Sequence, residues 1–109
     1  MKFTYLPLIA AILSTTLIPV HSIADAKKGK RIYKKRMYKK CGFSGVKFAR
    51  HHTQAEWETL YEEGKFQAEA LKICPKIDTA KIKPKNWSDI YDFSVKYAKD
   101  GVAPNGCND

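Results

Sequence analysis

Between Lys27 and Arg50 the sequence has no acidic side chain, and nowhere does it have a C-x-x-C pair, an H-E-x-x-H, a G-x-S-x-G or a glycine-rich phosphate loop. These absences remove the usual sequence marks of dithiol redox enzymes, zinc peptidases, serine hydrolases and nucleotide-binding enzymes. The clustered carboxylates, Glu56 with Glu58 and Glu62 with Glu63, fit a solvated helix face better than an acid–base pair. No catalytic constellation is present, so the chain reads as non-enzymatic. No stretch alternates with period two for long enough to suggest a sheet, and there are no repeats. With 109 residues there is room for one domain, not for a barrel or a full dinucleotide-binding fold.

The first 26 residues read as a segment outside the fold. Lys2 is the only charge before Asp25, and residues 3–20 are mostly apolar. Small residues follow at Ser22-Ile23-Ala24 and Ala24-Asp25-Ala26. A short basic start, an apolar stretch and a small-residue site describe a secretory signal peptide, cut after Ala24 or Ala26. Pro7 and Pro19 interrupt the stretch and argue against an anchor, although eleven basic residues in 27–50 would favour one by the positive-inside rule. The expected location is periplasmic or secreted, with residues 27–109 forming a single small domain.

Charge in that domain is uneven. Residues 27–50 carry 11 Lys and Arg, whereas residues 51–109 carry 8 basic and 10 acidic side chains. Leu, Ile, Val and Phe fill only 14 of the 83 positions after Ala26. This approaches the composition of disordered chains. Eleven aromatics argue the other way: each can bury on the order of 150–250 Å². A small aromatic core of marginal stability, helped by a disulfide or a bound group, is the expectation.

Four helical pieces are legible. Residues 27–40 place Ile32, Tyr33, Met37 and Tyr38 on one side, with Gly29, Tyr33 and Met37 at i, i+4 spacing and the rest basic. Gly42 and Gly45 break this helix, and 41–52 reads as loop. Thr53-Gln54-Ala55-Glu56 is a capping box opening a second helix with Trp57, Leu60 and Tyr61 on its apolar face and Gly64 at its end. Phe66, Ala70, Leu71 and Cys74 are spaced for a third helix, stopped by Pro75. Residues 75–86 look extended. Ser88 is an N-cap for a last helix over 89–99, with Gly101 as its stop.

The chemistry-bearing residues are few. In an oxidising compartment two of Cys41, Cys74 and Cys107 pair and one is left over. Three pairings are possible, and spacing does not choose among them. His51 and His52 precede the capping box and read as surface histidines; Cys41 beside them would complete a set of three metal or cofactor ligands only with a geometry that sequence does not reveal. No metal site is expected. The basic run offers Lys27, Lys28, Lys30, Arg31, Lys34, Lys35, Lys39 and Lys40 as partner-binding residues. Basic residues interleaved with Tyr33 and Tyr38 suit nucleic acid, but export makes that partner unexpected. An acidic protein partner, a redox protein among the candidates, or an anionic membrane surface fits better.

The order of these pieces resembles a small class I cytochrome c. Lys28-Gly29-Lys30-Arg31-Ile32-Tyr33 followed by Lys39-Lys40-Cys41 is similar to the family's opening helix, which runs into a C-x-x-C-H haem-attachment motif. Residues 87–98, beginning Trp87-Ser88-Asp89-Ile90-Tyr91, resemble its last helix, whose late aromatic packs against the first. Cys74-Pro75 falls where the family often has its axial Met-Pro. The resemblance implies a small all-α, cytochrome c-like bundle of about four short helices. The sequence departs from the family at the motif itself. Ser44 stands in place of the second thioether cysteine and Gly45 in place of the proximal histidine, and glycine cannot ligate iron. What is implied is a haem-free member with Phe43, Phe48, Trp57 and Tyr61 filling the cleft. The resemblance also puts Cys41 and Cys74 on opposite sides of that cleft, where a bridge would close it.

Three functions follow as expectations. The first is an exported, non-enzymatic accessory protein, without cofactor, that docks to an acidic partner of an electron-transfer or stress system. The second is a periplasmic electron carrier with a non-covalent or singly attached haem held by Cys41, His51 or His52. The third is a basic membrane-surface or secreted effector.

Overall fold

A computed structural model of the chain describes residues 23–103, with side chains from Asp25 onward. Cys107, the expected Pro104-Asn105-Gly106 loop and the part of the expected signal peptide before Ile23 lie outside the described residues. Among those described, all regular structure is helical.

The basic segment is one continuous helical rod with a change of pitch. α1 spans Ile23–Ile32, a π-helical turn spans Tyr33–Met37, and α2 spans Tyr38–Cys41. Helix therefore begins at Ile23, before either expected cleavage point, because Ala24, Asp25 and Ala26 are compatible with it and Asp25 suits a first turn. Gly29, Tyr33 and Met37 form a buried stripe, as the spacing predicts, and Ala26, expected to lie outside the fold, extends it toward the start of α1. Tyr38 leaves it: it stands about 100° on from Met37 and is 49% exposed. Gly42, at φ 81°, closes α2 in the left-handed conformation, which costs glycine little.

The expected loop over 41–52 contains a helix. α3 spans Gly45–Ala49, capped by Ser44, whose Oγ accepts from the Lys47 N–H at 3.2 Å. Gly45 serves here as a first helical residue rather than as a breaker. An added Cβ would lie 2.8 Å from the Phe93 ring and 3.2 Å from Tyr33. α4 spans Gln54–Glu62 and starts with the predicted capping box: Thr53 Oγ1 accepts from the Glu56 N–H, and Glu56 Oε1 accepts from the Thr53 N–H at 2.9 Å. α5 spans Phe66–Ile73, ending at Cys74 before Pro75.

Residues 75–86 are not simply extended. A 3₁₀ turn over Thr79–Lys81, capped by Asp78, brings Ile77 and Ile82 into the core. α6 spans Asn86–Lys96, so the last helix starts earlier and ends earlier than 89–99. Ser88 does not cap it; its hydroxyl donates back to the Lys85 carbonyl at 2.9 Å.

α6 crosses α1 at close range and also packs on α3 and α4. The core is a run of rings. Phe48 stacks on Trp57 at 5.5 Å, Trp57 meets Phe66 at 5.2 Å, and Phe66 touches Trp87 and Tyr91 edge-on. Phe48 and Trp57 are fully buried; Phe43 is only partly buried and Tyr61 is exposed, so the interior is filled by Phe48 and Trp57 with Phe66 in place of the other two. Trp57 Nε1–H donates to the Ala49 carbonyl at 2.8 Å, which keeps its polar edge satisfied and locks α4 to α3. A Cys41–Cys74 disulfide joins the end of α2 to the end of α5.

Candidate functional site

The outer face of the basic rod is the strongest charged feature. With Ala26, Gly29, Tyr33 and Met37 turned inward, helical periodicity turns Lys27, Arg31 and Lys35 outward and leaves Lys34 on one flank. These four are exposed, as are Lys39 and Lys40; Lys28 and Lys30 are half-buried on the flanks. Arg36, not among the sequence candidates, is exposed on the same rod and adds to its charge. Sequence reasoning had the signal for it, since it lies in the same uninterrupted basic run.

Lys28 is partly neutralised. Its Nζ lies 3.5 Å from Asp89 Oδ2, and Asp89 is buried where α6 meets α1. The carboxylates of Asp25, Asp89 and Asp92 gather there within 4.8 Å of one another. This pocket of negative charge sits under the start of the rod. The rod from Arg31 to Lys40 carries no acid of its own.

Two recesses flank the rod. On one flank Lys28, Arg31, Ile32, Lys35 and Asn86 line an open hollow of about 320 Å³. On the other, Lys30, Tyr33, Lys34, Tyr38, Ser44, Gly45 and Phe93 line a more enclosed cleft of about 300 Å³. Tyr33 is buried at the base of this cleft. Its hydroxyl donates to the Phe43 carbonyl at 2.8 Å, and burial, with a smaller push from Tyr38, raises its pKa well above the usual phenol range.

The histidines are placed apart from this face. His51 Nδ1 sits 3.0 Å from the Lys47 carbonyl and 3.1 Å from that of Phe48. His52 is half-buried, edge-on to Trp57 at 4.7 Å. Its Nδ1 faces Glu56 Oε1 at 3.3 Å and its Nε2 faces Glu69 Oε2 at 2.7 Å, so it ties α4 to α5. Both contacts are donations only when the imidazole carries both protons. The Thr53 N–H first, and His52 second, hold the Glu56 carboxyl below the usual carboxylate range.

At the positions that the resemblance matches to the haem-attachment motif, the side chains do not fit a haem. Cys41 Sγ is bonded to Cys74 and offers no thiol for attachment beside His51 or His52. Gly45 has no side chain to ligate iron, and no Cβ fits there between Phe93 and Tyr33. The ring nitrogens of His52 face carboxylates.

Among known proteins, no family model, curated protein or solved structure matches the chain. Among the described residues, no helix is long and apolar enough to cross a membrane.

Proposed function

We propose that this chain is an exported, non-enzymatic accessory protein with a cytochrome c-like helical frame, and that it works without haem by docking its basic rod onto an acidic protein partner. One observation carries the reading. Lys27, Arg31, Lys34, Lys35, Arg36, Lys39 and Lys40 stand exposed on a single rod without an interspersed acidic residue, and the rod is packed along α6 through α1. An array of like charge steers an oppositely charged partner and raises its encounter rate by roughly 10–10³-fold at low salt. The Cys41–Cys74 bridge supports the export reading, because such bonds persist in oxidising compartments.

The test is a comparison of wild type with the variant carrying Lys34→Glu, Lys35→Glu, Lys39→Glu and Lys40→Glu. Each is immobilised and challenged with periplasmic extract at low salt. The reading expects wild type to retain an acidic protein that the variant does not, with purified partner showing affinity that falls steeply as salt is raised. Equal retention by both would defeat it. Binding of wild type to anionic vesicles but to no acidic protein would replace it with the membrane-surface reading.

A further inference from the structure

The cleft on the α3 flank of the rod differs from an ordinary solvated face. Tyr33 and Phe93 close its base but are only 1% and 0% exposed, so the apolar surface it offers is the half-exposed Tyr38 ring and the aliphatic stems of Lys30 and Lys34, whose ammonium groups form its rim. No acidic side chain lines it. Gly45 makes the floor possible: without a Cβ, α3 approaches Phe93 and Tyr33 closely enough for their rings to close the cleft from below. Lys30, Lys34 and Tyr38 follow at i, i+4 and i+8, so they stand in one row along its edge. Tyr38 is half-exposed beside it, and an exposed tyrosine next to an apolar recess is the composition of an interface anchor point. Its volume of about 300 Å³ lies at the low end of ligand cavities, roughly 300–1,000 Å³, which suits one side chain better than a cofactor.

We infer that this cleft seats one large apolar side chain, such as Phe or Leu, from an acidic segment of the partner, with the carboxylates beside that residue meeting Lys30 and Lys34. The inference rests on the docking reading and adds to it where the interface centre lies. Charge complementarity selects the occupant: an apolar side chain alone would fill the floor but leave the lysine rim unused. The exposed lysines elsewhere on the rod then steer the encounter, while the cleft fixes the register.

Two synthetic peptides test this. Both are rich in Asp and Glu; one has Phe at its centre and the other Ala. Affinities are measured at low salt, and the backbone amides are followed by NMR. The Phe peptide is expected to bind at least tenfold more tightly and to shift the amides of Tyr38, Ser44 and Gly45. Tyr38→Ala should remove most of that advantage; Tyr38 is half-exposed, and circular dichroism confirms that the variant stays helical. Lys30→Gln with Lys34→Gln should weaken both peptides. Arg31→Ala with Lys35→Ala, on the other flank, should weaken both by the same factor and leave the Phe advantage intact. Equal affinity of the two peptides, or no shift at Gly45, would overturn the cleft assignment while the docking reading stands. Failure of both peptides to bind would overturn both.

Discussion

Gly29 of α1 lies directly against the Asp89 backbone of α6. A Cβ built on Gly29 would press into the Asp89 carbonyl and come within 2.8 Å of Phe93 Cβ. The two helices cross at this point with nothing between their backbones, and the rod's orientation depends on that crossing. Gly29→Ala therefore opposes two effects. Alanine favours an α-helix interior over glycine by roughly 0.5–1 kcal/mol. Overpacking a tight contact costs about 1–3 kcal/mol, and the group that must yield here is backbone, which pushes the cost upward. Thermal unfolding should show Gly29→Ala destabilised. For a domain of this size each lost kcal/mol lowers Tm by roughly 4–8 °C. An unchanged or raised Tm would mean that α1 and α6 are not in this contact.

That contact shows what the sequence made legible. The i, i+4 line through Gly29, Tyr33 and Met37 announces a buried stripe, and all three are buried. The Thr53–Glu56 capping box is local chemistry and forms as read. α3 was hidden because Gly42 precedes it and Gly45 opens it, both reading as breakers, and a five-residue helix has too few positions to show a period. Ile77 and Ile82 were hidden for a related reason: they enter the core from an irregular segment whose path is set by the 3₁₀ turn. His52 with Glu69, 17 residues apart, and the cleft that unites Lys30, Gly45 and Phe93 are tertiary, and no local pattern encodes them.

The Cys41–Cys74 bridge closes a separation of 33 residues and anchors the rod's end to α5. With so few aliphatic residues in the core, this staple carries a large share of the net stability. Replacing both cysteines by serine, or reducing the protein, should cost about 2–4 kcal/mol, mainly by freeing the unfolded chain. Guanidinium unfolding of oxidised protein with and without reductant measures it. An identical midpoint would show that the bond does not form in solution. The double serine variant should also expose Trp57 to solvent earlier in the unfolding transition.

Glu56 contributes to the acid limb of stability. Its carboxyl is held low by the Thr53 N–H and then by His52, so the charged form is favoured in the folded state. A depressed folded pKa contributes stability that is present above the ordinary value of 4.5 and is lost as pH falls through the lower folded value. Glu56→Gln should therefore destabilise the protein at neutral pH and narrow its gap to wild type at acid pH. Urea midpoints measured from pH 6 downward check this. A gap that stays constant with pH would mean the carboxylate charge plays no part in the cap.

Tyr91 acts at the other end of the pH scale. Burial, and then the nearby charges of Glu58, Asp92 and Glu62, push its pKa up to about 12, and its ring stacks on Tyr61 at 4.0 Å. A raised folded pKa gives stability that is whole below the ordinary value of 10 and lost as pH rises through about 12. Phenolate absorbance followed during an alkaline titration should show a late step that coincides with loss of helical signal. Tyr91→Phe keeps the ring and should diminish both the step and the alkaline loss.

If the chain is exported as proposed, the start of α1 decides between the two cleavage points. Ala26 is 3% exposed in the α1 interface, and Asp25 belongs to the carboxylate group with Asp89 and Asp92. Cleavage after Ala24 preserves both residues; cleavage after Ala26 removes them and leaves a hole beside the crossing of α1 and α6. Deleting a buried side chain costs its transfer energy plus the cavity it leaves, so a chain starting at Lys27 should melt lower than one starting at Asp25. Intact-mass measurement of the protein recovered from a periplasm should give the mass of residues 25–109. Recovery of the full-length chain from the cytoplasm would instead remove the export step and, with it, the expectation of an oxidised Cys41–Cys74 pair in the cell.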